Sequence, residues 1–159
     1  MSPPLKGVLF DRDGTIVVDV PYNGDPDLVQ PVPGAREVLD RLRAAGVKVG
    51  VLTNQSGVGR AMITEAKMRE VNARVDELLG PFDGWFVCPH SPADDCECRK
   101  PKPKLVLDAA AQWGLDPSDI VVIGDKESDV EAAENAGARA IRIDESHSLM
   151  TAIDEALTG

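Results

Sequence analysis

Two aspartates stand two residues apart, directly after a short apolar run. Segment 8–10 reads VLF and is followed by Asp11, Arg12, Asp13 and Gly14. Carboxylates with this spacing at the end of a strand can converge on one point, and a divalent cation between them offsets their repulsion. Hard oxygen ligands suit Mg²⁺, and Gly14 lets the backbone turn sharply. The alternative is a polar turn whose acids are solvated.

Polar residues also follow two later apolar runs. The segment TNQSG at 53–57 offers a hydroxyl group and backbone N–H groups, both of which bind phosphate oxygens. The segment GDKESD at 124–129 supplies a third acid, Asp125, directly after four apolar residues and a glycine. Asp129 is predicted to hold this loop or the water shell of the metal. An ordinary capped turn is the alternative for both segments.

Cations are concentrated at 99–104, which reads RKPKPK in an otherwise acidic chain. The prolines restrict the backbone, so Arg99 and Lys100 are predicted to be held toward the sheet edge, with a solvated basic turn as the alternative for the later lysines. Together these groups predict phosphoryl transfer, because a metal ion, a lysine and N–H groups offset the charge of a phosphate dianion. Asp11 can then attack phosphorus, and Asp13 can transfer the proton.

A second group of residues has the spacing of a metal site. The three cysteines of the chain are Cys88, Cys96 and Cys98, and His90, one of two histidines, lies among them. An odd count argues against a disulfide framework, whereas three cysteines and one histidine form a closed structural zinc set. The zinc loop 88–98 is therefore predicted to bind structural Zn²⁺. Three reduced cysteines and a surface histidine are the alternative.

These residues are positioned by alternating strand and helix patterns. Continuous apolar runs predict strands at 8–10, 47–53, 85–87, 120–123 and 138–143. Helical periodicity or capping residues predict helices at 35–45, 64–78, 104–113, 128–136 and 148–157, with Thr64 as a cap and with Ser128 and Asp129 as the cap residues in the capped-turn alternative. This alternation predicts an α/β fold with a mostly parallel sheet flanked by helices. Ligands bind at the carboxyl ends of such strands, which is where the polar motifs stand.

Composition limits the class of protein and its partners. The chain has 159 residues, 43% of them apolar and 28% charged, which predicts one folded domain over 1–159 without a large cap domain. A net charge of −10 argues against nucleic-acid binding. The sequence shows neither a membrane span nor a signal peptide, so we expect a cytoplasmic protein, and we expect a monomer.

The ordered motifs resemble those of the haloacid-dehalogenase superfamily of phosphatases. The matching segments are DRDGT at 11–15, TNQ at 53–55, CRKP at 98–101 and GDKESD at 124–129. The resemblance implies a single Rossmann-like domain in which Asp11 is the nucleophile and Asp13 is the general acid and base. It implies that Thr53 and Lys100 stabilise the transferring phosphoryl group. Mg²⁺ would be held by Asp11, by the backbone carbonyl of Asp13 and by Asp125.

The zinc loop is similar to that of two branches of this superfamily, the D-glycero-D-manno-heptose 1,7-bisphosphate phosphatases and the histidinol-phosphate phosphatases. TNQSGVGR at 53–60 and GDK at 124–126 favour the heptose branch, whereas the five residues between His90 and Cys96 favour the histidinol branch. The resemblance implies a small phosphorylated metabolite as substrate, with the heptose bisphosphate favoured and histidinol phosphate or another sugar phosphate as alternatives. The residues expected to contact it are Asp19, Tyr22, Asn54, Gln55, Ser56, Arg99 and Lys126.

Two readings from other functional classes also stay open. A phospho-acceptor signalling module likewise combines acids, a hydroxyl group and a lysine on a parallel sheet, but its phosphorylated acid follows the third strand. Here no acid directly follows 85–87. The other reading is a zinc-stabilised binding module without activity. Without a large cap, selectivity is expected to come from loops such as 19–26 and 88–100, with Arg60 a further candidate contact for a second phosphate.

Overall fold

A five-stranded parallel sheet forms the centre of the protein in a computed structural model, which describes residues 5–158. The strands are β1 (Gly7–Phe10), β2 (Lys48–Asn54), β3 (Gly84–Cys88), β4 (Ile120–Gly124) and β5 (Arg139–Arg142). Their order in the sheet is β3-β2-β1-β4-β5. The predicted α/β class and the predicted strand positions are confirmed.

Helices connect and cover the strands. The α-helices in the described residues are α1 (Ala35–Ala44), α2 (Ser56–Gly59), α3 (Glu65–Leu79), α4 (Lys104–Trp113), α5 (Glu127–Ala136) and α6 (Leu149–Thr158). The sequence analysis missed α2, because four residues are too few to show a helical period. The side chain of Thr64 accepts a hydrogen bond from the backbone N–H of Lys67 at 3.1 Å, which confirms that cap.

The start of α5 differs from the prediction. The helix begins at Glu127, and the Asp129 carboxylate accepts a hydrogen bond from the backbone N–H of Lys126 at 3.2 Å. Ser128 is therefore not the cap. An acidic side chain in the first turn of a helix can accept a hydrogen bond from a free backbone N–H group, as a serine placed before the helix would do. Its negative charge also interacts favourably with the helix dipole.

Apolar side chains fill both sides of the sheet. Val8 and Phe10 belong to a cluster that includes residues of α1, α3 and α6, whereas Leu9 belongs to a cluster that includes residues of α4 and α5. Side chains alternate between the faces of a strand, so a continuous apolar run is what a sheet covered on both faces requires. None of the helices in the described part of the chain is long and apolar enough to cross a membrane.

The strand order places a crevice beside β1. The chain builds β1, β2 and β3 outward in one direction and then crosses to β4 and β5 on the other side of β1. The loops that follow β1 and β4 therefore leave the sheet in diverging directions, and ligands bind at such a reversal. Asp11 follows β1 and Asp125 follows β4, so the topology brings both acids to this crevice.

Candidate active site

Asp11 lies at the centre of the crevice and is 2% exposed. Its backbone N–H donates to the carbonyl of Ile123 at 3.0 Å, which continues the pairing of β1 with β4 beyond the last residue of β1. Its Oδ1 accepts hydrogen bonds from the backbone N–H of Arg12 at 2.9 Å and from Lys100 Nζ at 3.1 Å. Its Oδ2 is buried and has no hydrogen-bond partner among the described residues. One carboxylate oxygen is thus held in place and the other is free to react or to bind a cation.

Asp125 and Asp129 complete an acidic cluster with Asp11, in which one carboxylate oxygen of each lies within 4.8 Å of the others. Burial, and then the charge of Asp11, raises the pKa of Asp125 to about 6. Gly14 has a φ of +82°, and a Cβ there would lie 2.4 Å from Asp125 Oδ2. The Asp125 carboxylate therefore packs against the backbone of Gly14, at a position where a larger residue would not fit. The free Asp11 oxygen and this concentration of hard oxygen donors fit Mg²⁺.

Lys100 is the cation that this cluster contains, and it is 4% exposed. Its Nζ lies 3.1 Å from Asp11 Oδ1 and 2.5 Å from Asp129 Oδ1. Burial opposes its charge, but the attraction of Asp11 and Asp129 outweighs burial and raises the pKa of the ammonium group. The ammonium group therefore stays protonated beside the free oxygen of Asp11, where it can attract a phosphate. Asp129, predicted to hold the loop or the metal's water shell, accepts a hydrogen bond from the backbone N–H of Lys126 in that loop and also pairs with Lys100.

Asn54 holds the backbone of Lys100. Its Oδ1 accepts a hydrogen bond from the Lys100 N–H at 3.1 Å, and its Nδ2 donates to the Lys100 carbonyl at 3.4 Å. The prediction named Asn54 as a substrate contact. In the structure its amide group joins the end of β2 to the segment that carries the buried lysine, and its contact with the substrate stays a prediction.

Asp13 is held by a network that the sequence analysis missed. Arg12 donates from Nε to Asp13 Oδ1 at 3.0 Å and from Nη2 to Asp13 Oδ2 at 3.1 Å. The same guanidinium contacts Gln55 Oε1 at 3.0 Å and Asn72 Oδ1 at 2.7 Å. Gln55, a predicted substrate contact, is buried and its amide is engaged within the protein. An arginine between two acids after a buried strand was the available signal for Arg12, whereas nothing in the sequence indicated Asn72.

Thr53 is buried at the end of β2, next to this network. Its Oγ1 accepts a hydrogen bond from Gln55 Nε2 at 2.8 Å. A hydroxyl group that accepts in this way keeps its own proton available to donate. The geometry therefore suits the predicted contact of Thr53 with a phosphoryl oxygen, which stays a prediction.

The other predicted substrate contacts lie on the surrounding loops. Tyr22 is exposed and has a φ of +52°, and a Cβ on Gly57 would lie 3.0 Å from its Cδ1. Arg99 is half-buried, and its Nη1 has no hydrogen-bond partner among the described residues. Asp19 and Lys126 are exposed, and Ser56 is half-buried at the start of α2.

The predicted zinc ligands also come together. The donor atoms of Cys88, His90, Cys96 and Cys98 all lie within 4.8 Å of one another. Cys88 Sγ lies 3.5 Å from both His90 Nδ1 and Cys96 Sγ, and His90 Nδ1 lies 3.3 Å from Cys98 Sγ. Ligands bound tetrahedrally at about 2.0 to 2.3 Å are roughly 3.3 to 3.8 Å apart. The spacing and the donor set therefore fit a zinc ion.

In the absence of a cation, Cys88 in this cluster is held in its neutral form. Burial raises the pKa of the Cys88 thiol to about 12. Zinc ligation requires the thiolate, and a cation within the cluster would favour that charged form. The loop is joined to the active site, since the backbone N–H of Gln55 donates to the Cys88 carbonyl at 2.7 Å. Lys102 Nζ also donates to the Cys96 carbonyl, which ties the loop to the segment after Lys100.

A comparison with protein families decides the class of protein. A model of the haloacid dehalogenase-like hydrolases matches residues 22–137. The chain belongs to this family. The resemblance stated from the motifs is confirmed, and the predicted hydrolase class is confirmed with it.

Curated relatives within this family are similar over most of the chain. One from Rhodopseudomonas palustris is 36% identical over 154 residues, which cover 90% of this chain and 86% of the relative. One from Pasteurella multocida is 34% identical over 141 residues, which cover 82% of this chain and 77% of the relative. Both are named D-glycero-beta-D-manno-heptose-1,7-bisphosphate 7-phosphatase. Together with the family, they confirm the prediction that the chain is a phosphatase.

A solved structure shows that the likeness extends to the fold. The D,D-heptose 1,7-bisphosphate phosphatase from B. bronchiseptica superposes with a TM-score of 0.87 and is 28% identical. The match covers 97% of this chain and 99% of that one, whose structure contains magnesium and phosphate. The predicted sheet flanked by helices is therefore a haloacid dehalogenase-like fold.

Proposed function

We propose that the protein is a Mg²⁺-dependent phosphatase that hydrolyses D-glycero-D-manno-heptose 1,7-bisphosphate at position 7. The observation that carries the chemistry is the free Oδ2 of Asp11, which lies on a carboxylate fixed through its other oxygen by Lys100. The names of the relatives support the substrate. Histidinol phosphate and other sugar phosphates are the alternatives.

The first half of the proposed reaction transfers the phosphoryl group to Asp11. Its free carboxylate oxygen forms a bond to phosphorus while the bond from phosphorus to the sugar oxygen breaks. Asp13 gives its proton to the departing sugar oxygen, so the product leaves as an alcohol. Lys100 and Thr53 stabilise the phosphoryl oxygens, because a cation and a donor placed in advance cost no reorganisation during the reaction.

The second half releases phosphate. Asp13, now ionised, takes a proton from water as the water oxygen bonds to phosphorus, and the bond to Asp11 breaks. Mg²⁺, held by Asp11, Asp125 and the backbone carbonyl of Asp13, would neutralise part of the phosphoryl charge. The starting protonation states of Asp11, Asp13 and Lys100 are thereby restored.

Zinc is proposed to have a structural role in this enzyme. Cys88, His90, Cys96 and Cys98 would occupy all four positions of a tetrahedral ion, so no position stays open for catalysis. The loop that these ligands would hold leads directly into Arg99 and Lys100.

Substrate selection is assigned to loops, because the domain predicted over 1–159 has no large cap. Tyr22 and Arg99 are the strongest candidates, because Tyr22 is an exposed aromatic ring and Arg99 Nη1 has no hydrogen-bond partner among the described residues. A net charge of −10 is consistent with a small substrate rather than a nucleic acid. The monomeric state, the cytoplasmic location and the lack of membrane partners stay predictions.

A comparison of substrates tests the proposal. The experiment measures kcat/KM for both anomers of heptose 1,7-bisphosphate, for histidinol phosphate and for simple hexose phosphates, with Asp11→Asn as the inactive control. A preference for the heptose bisphosphate supports the proposed substrate, and a preference for histidinol phosphate replaces it. Release of only about one phosphate per chain would instead indicate a phospho-acceptor protein. Unchanged activity in Asp11→Asn would show that the nucleophile is wrong.

A further inference from the structure

Arg12 is a large, fully buried side chain that the reaction described above does not use. It is 1% exposed, and it heads the fully buried side chains of the described residues in volume. Four of its N–H groups donate hydrogen bonds at 2.7 to 3.1 Å, two of them to Asp13, one to Gln55 and one to Asn72. A buried charge is costly unless it is paired and hydrogen-bonded, and this one is both.

The guanidinium sets the direction of the hydrogen bonds around it, because arginine donates and cannot accept. Gln55 must turn its Oε1 toward Arg12, which leaves Nε2 facing the other way. Nε2 then donates to Thr53 Oγ1 at 2.8 Å and to Asp13 Oδ2 at 3.1 Å. Thr53 therefore accepts from inside the protein, and its hydroxyl proton is directed to a group outside this network.

The same network leaves one position open on the Asp13 carboxylate. Oδ2 accepts from both Arg12 Nη2 and Gln55 Nε2, which occupies its two lone pairs. Oδ1 accepts from Arg12 Nε, so one lone pair of Oδ1 stays free of the described donors. A proton exchanged with a substrate or with water must bind there.

We propose that Arg12 is a positioning residue that directs Thr53 to donate to the phosphoryl group and makes Oδ1 of Asp13 the oxygen that exchanges the proton. Asn72, on α3, holds the far side of the guanidinium. The inference rests on the proposed function, because it assigns the arrangement of Asp13 and Thr53 in that reaction to a third side chain.

The effect of the leaving group on the rate loss distinguishes this positioning role of Arg12 from a role in packing alone. Loss of a positioned proton donor slows the hydrolysis of phosphate esters of basic alcohols far more than the hydrolysis of p-nitrophenyl phosphate. The p-nitrophenolate leaving group departs without needing a proton. The variants are Arg12→Lys, which keeps the charge without the planar fork, and Asn72→Ala, which removes one acceptor from a helix. Arg69→Lys is the control, because Arg69 is exposed on the same helix and pairs with Glu65 at 2.6 Å.

The experiment measures kcat/KM of each variant for heptose 1,7-bisphosphate and for p-nitrophenyl phosphate, with thermal melts to check folding. We expect Arg12→Lys to lose about 100-fold on the sugar ester and at least tenfold less on the aryl ester. Asn72→Ala is expected to show a smaller loss with the same selectivity, and it decides the question if Arg12→Lys does not fold.

Two results separate the failure of this inference from failure of the proposed function. Equal losses on both esters in a folded variant would overturn the role of Arg12 in placing the proton on Asp13, and no loss on either ester would overturn its roles toward both Asp13 and Thr53. A wild-type protein that hydrolyses neither ester would instead refute the proposed function. If the wild type hydrolyses a different sugar phosphate, that compound replaces the heptose ester in the same comparison.

Discussion

Replacing Asp125 with asparagine is expected to stabilise the magnesium-free protein while it removes the activity. Burial, and then the charge of Asp11, raises the pKa of Asp125 from 3.8 to about 6. A folded-state pKa above the ordinary value means that folding disfavours the ionised carboxylate. The stability associated with this group is therefore fully present below pH 3.8 and is lost as the pH rises through about 6.

The size of the effect follows from this pKa and from the exposure of the side chain. A pKa raised from 3.8 to about 6 corresponds to roughly 3 kcal/mol at neutral pH. Asp125 is half-buried, so solvent screening reduces the expected gain on neutralisation to about 1.5 kcal/mol. Asparagine has the same shape as aspartate and keeps one side-chain oxygen. That oxygen can still accept the hydrogen bond that the Thr15 hydroxyl donates to Asp125 Oδ1 at 3.4 Å. In a domain of this size the melting temperature should rise by about 4 °C.

Thermal melts in magnesium-free buffer without chelator measure this gain. At about pH 7.5 Asp125→Asn should melt above the wild type, and near pH 5 the difference should shrink, because the wild-type carboxylate becomes protonated. Glu131→Gln, on the exposed face of α5, removes the same charge and should leave the melting temperature unchanged.

Addition of millimolar Mg²⁺ should then reverse the order. The wild type gains stability by binding the ion, whereas Asp125→Asn binds it weakly and loses at least about 100-fold in kcat/KM. A lower melting temperature for Asp125→Asn than for the wild type in magnesium-free buffer near pH 7.5 would refute the repulsion argument. An equal gain of both proteins with Mg²⁺ would show that Asp125 does not hold the ion.

Three further predictions concern the other parts of the site. Lys100→Met leaves two buried carboxylates without a counter-charge and should cost about 3 to 5 kcal/mol in urea unfolding, together with the activity. Protein purified without chelator should contain about one zinc ion per chain by elemental analysis. The Cys88→Ser variant should have a lower zinc content and a lower melting temperature. Wild-type protein without zinc would contradict the assignment. Gly14→Ala should abolish activity, because its Cβ would lie 2.4 Å from Asp125 Oδ2. Gly34→Ala is its control, since Gly34 has a similar φ of +84° with open space around it, and it should cost only about 1 kcal/mol.

Much of the site could be predicted because its residues stand directly after apolar strand runs. Asp11 follows β1 and Asp125 follows β4, and parallel strands carry such positions to one edge of the sheet. The Cys/His cluster was predictable for a different reason, since each of its four residues lies two positions from another member along the chain. Local spacing restricts which side chains can meet before the rest of the fold is known.

The contacts of Asn54 and Gln55 show where this reasoning stops. Their contact with the substrate stays a prediction, whereas the structure shows hydrogen bonds from their amides to Lys100, Arg12 and Asp13 that the sequence did not indicate. An amide beside a phosphate site can bind a ligand or a neighbouring residue, and the choice depends on which partners the fold places within about 3 Å.

The sequence by itself determined the order of strands and helices along the chain, the acids at the strand ends and the four residues of the Cys/His cluster, because periodicity and short spacings are local properties. Only the tertiary structure decided that Lys100 pairs with Asp129 and that Arg12 joins Asp13 to Asn72, across separations of 29 and 60 residues. The physical reason is burial. Once these charges leave water, each must find a partner wherever the packed chain provides one.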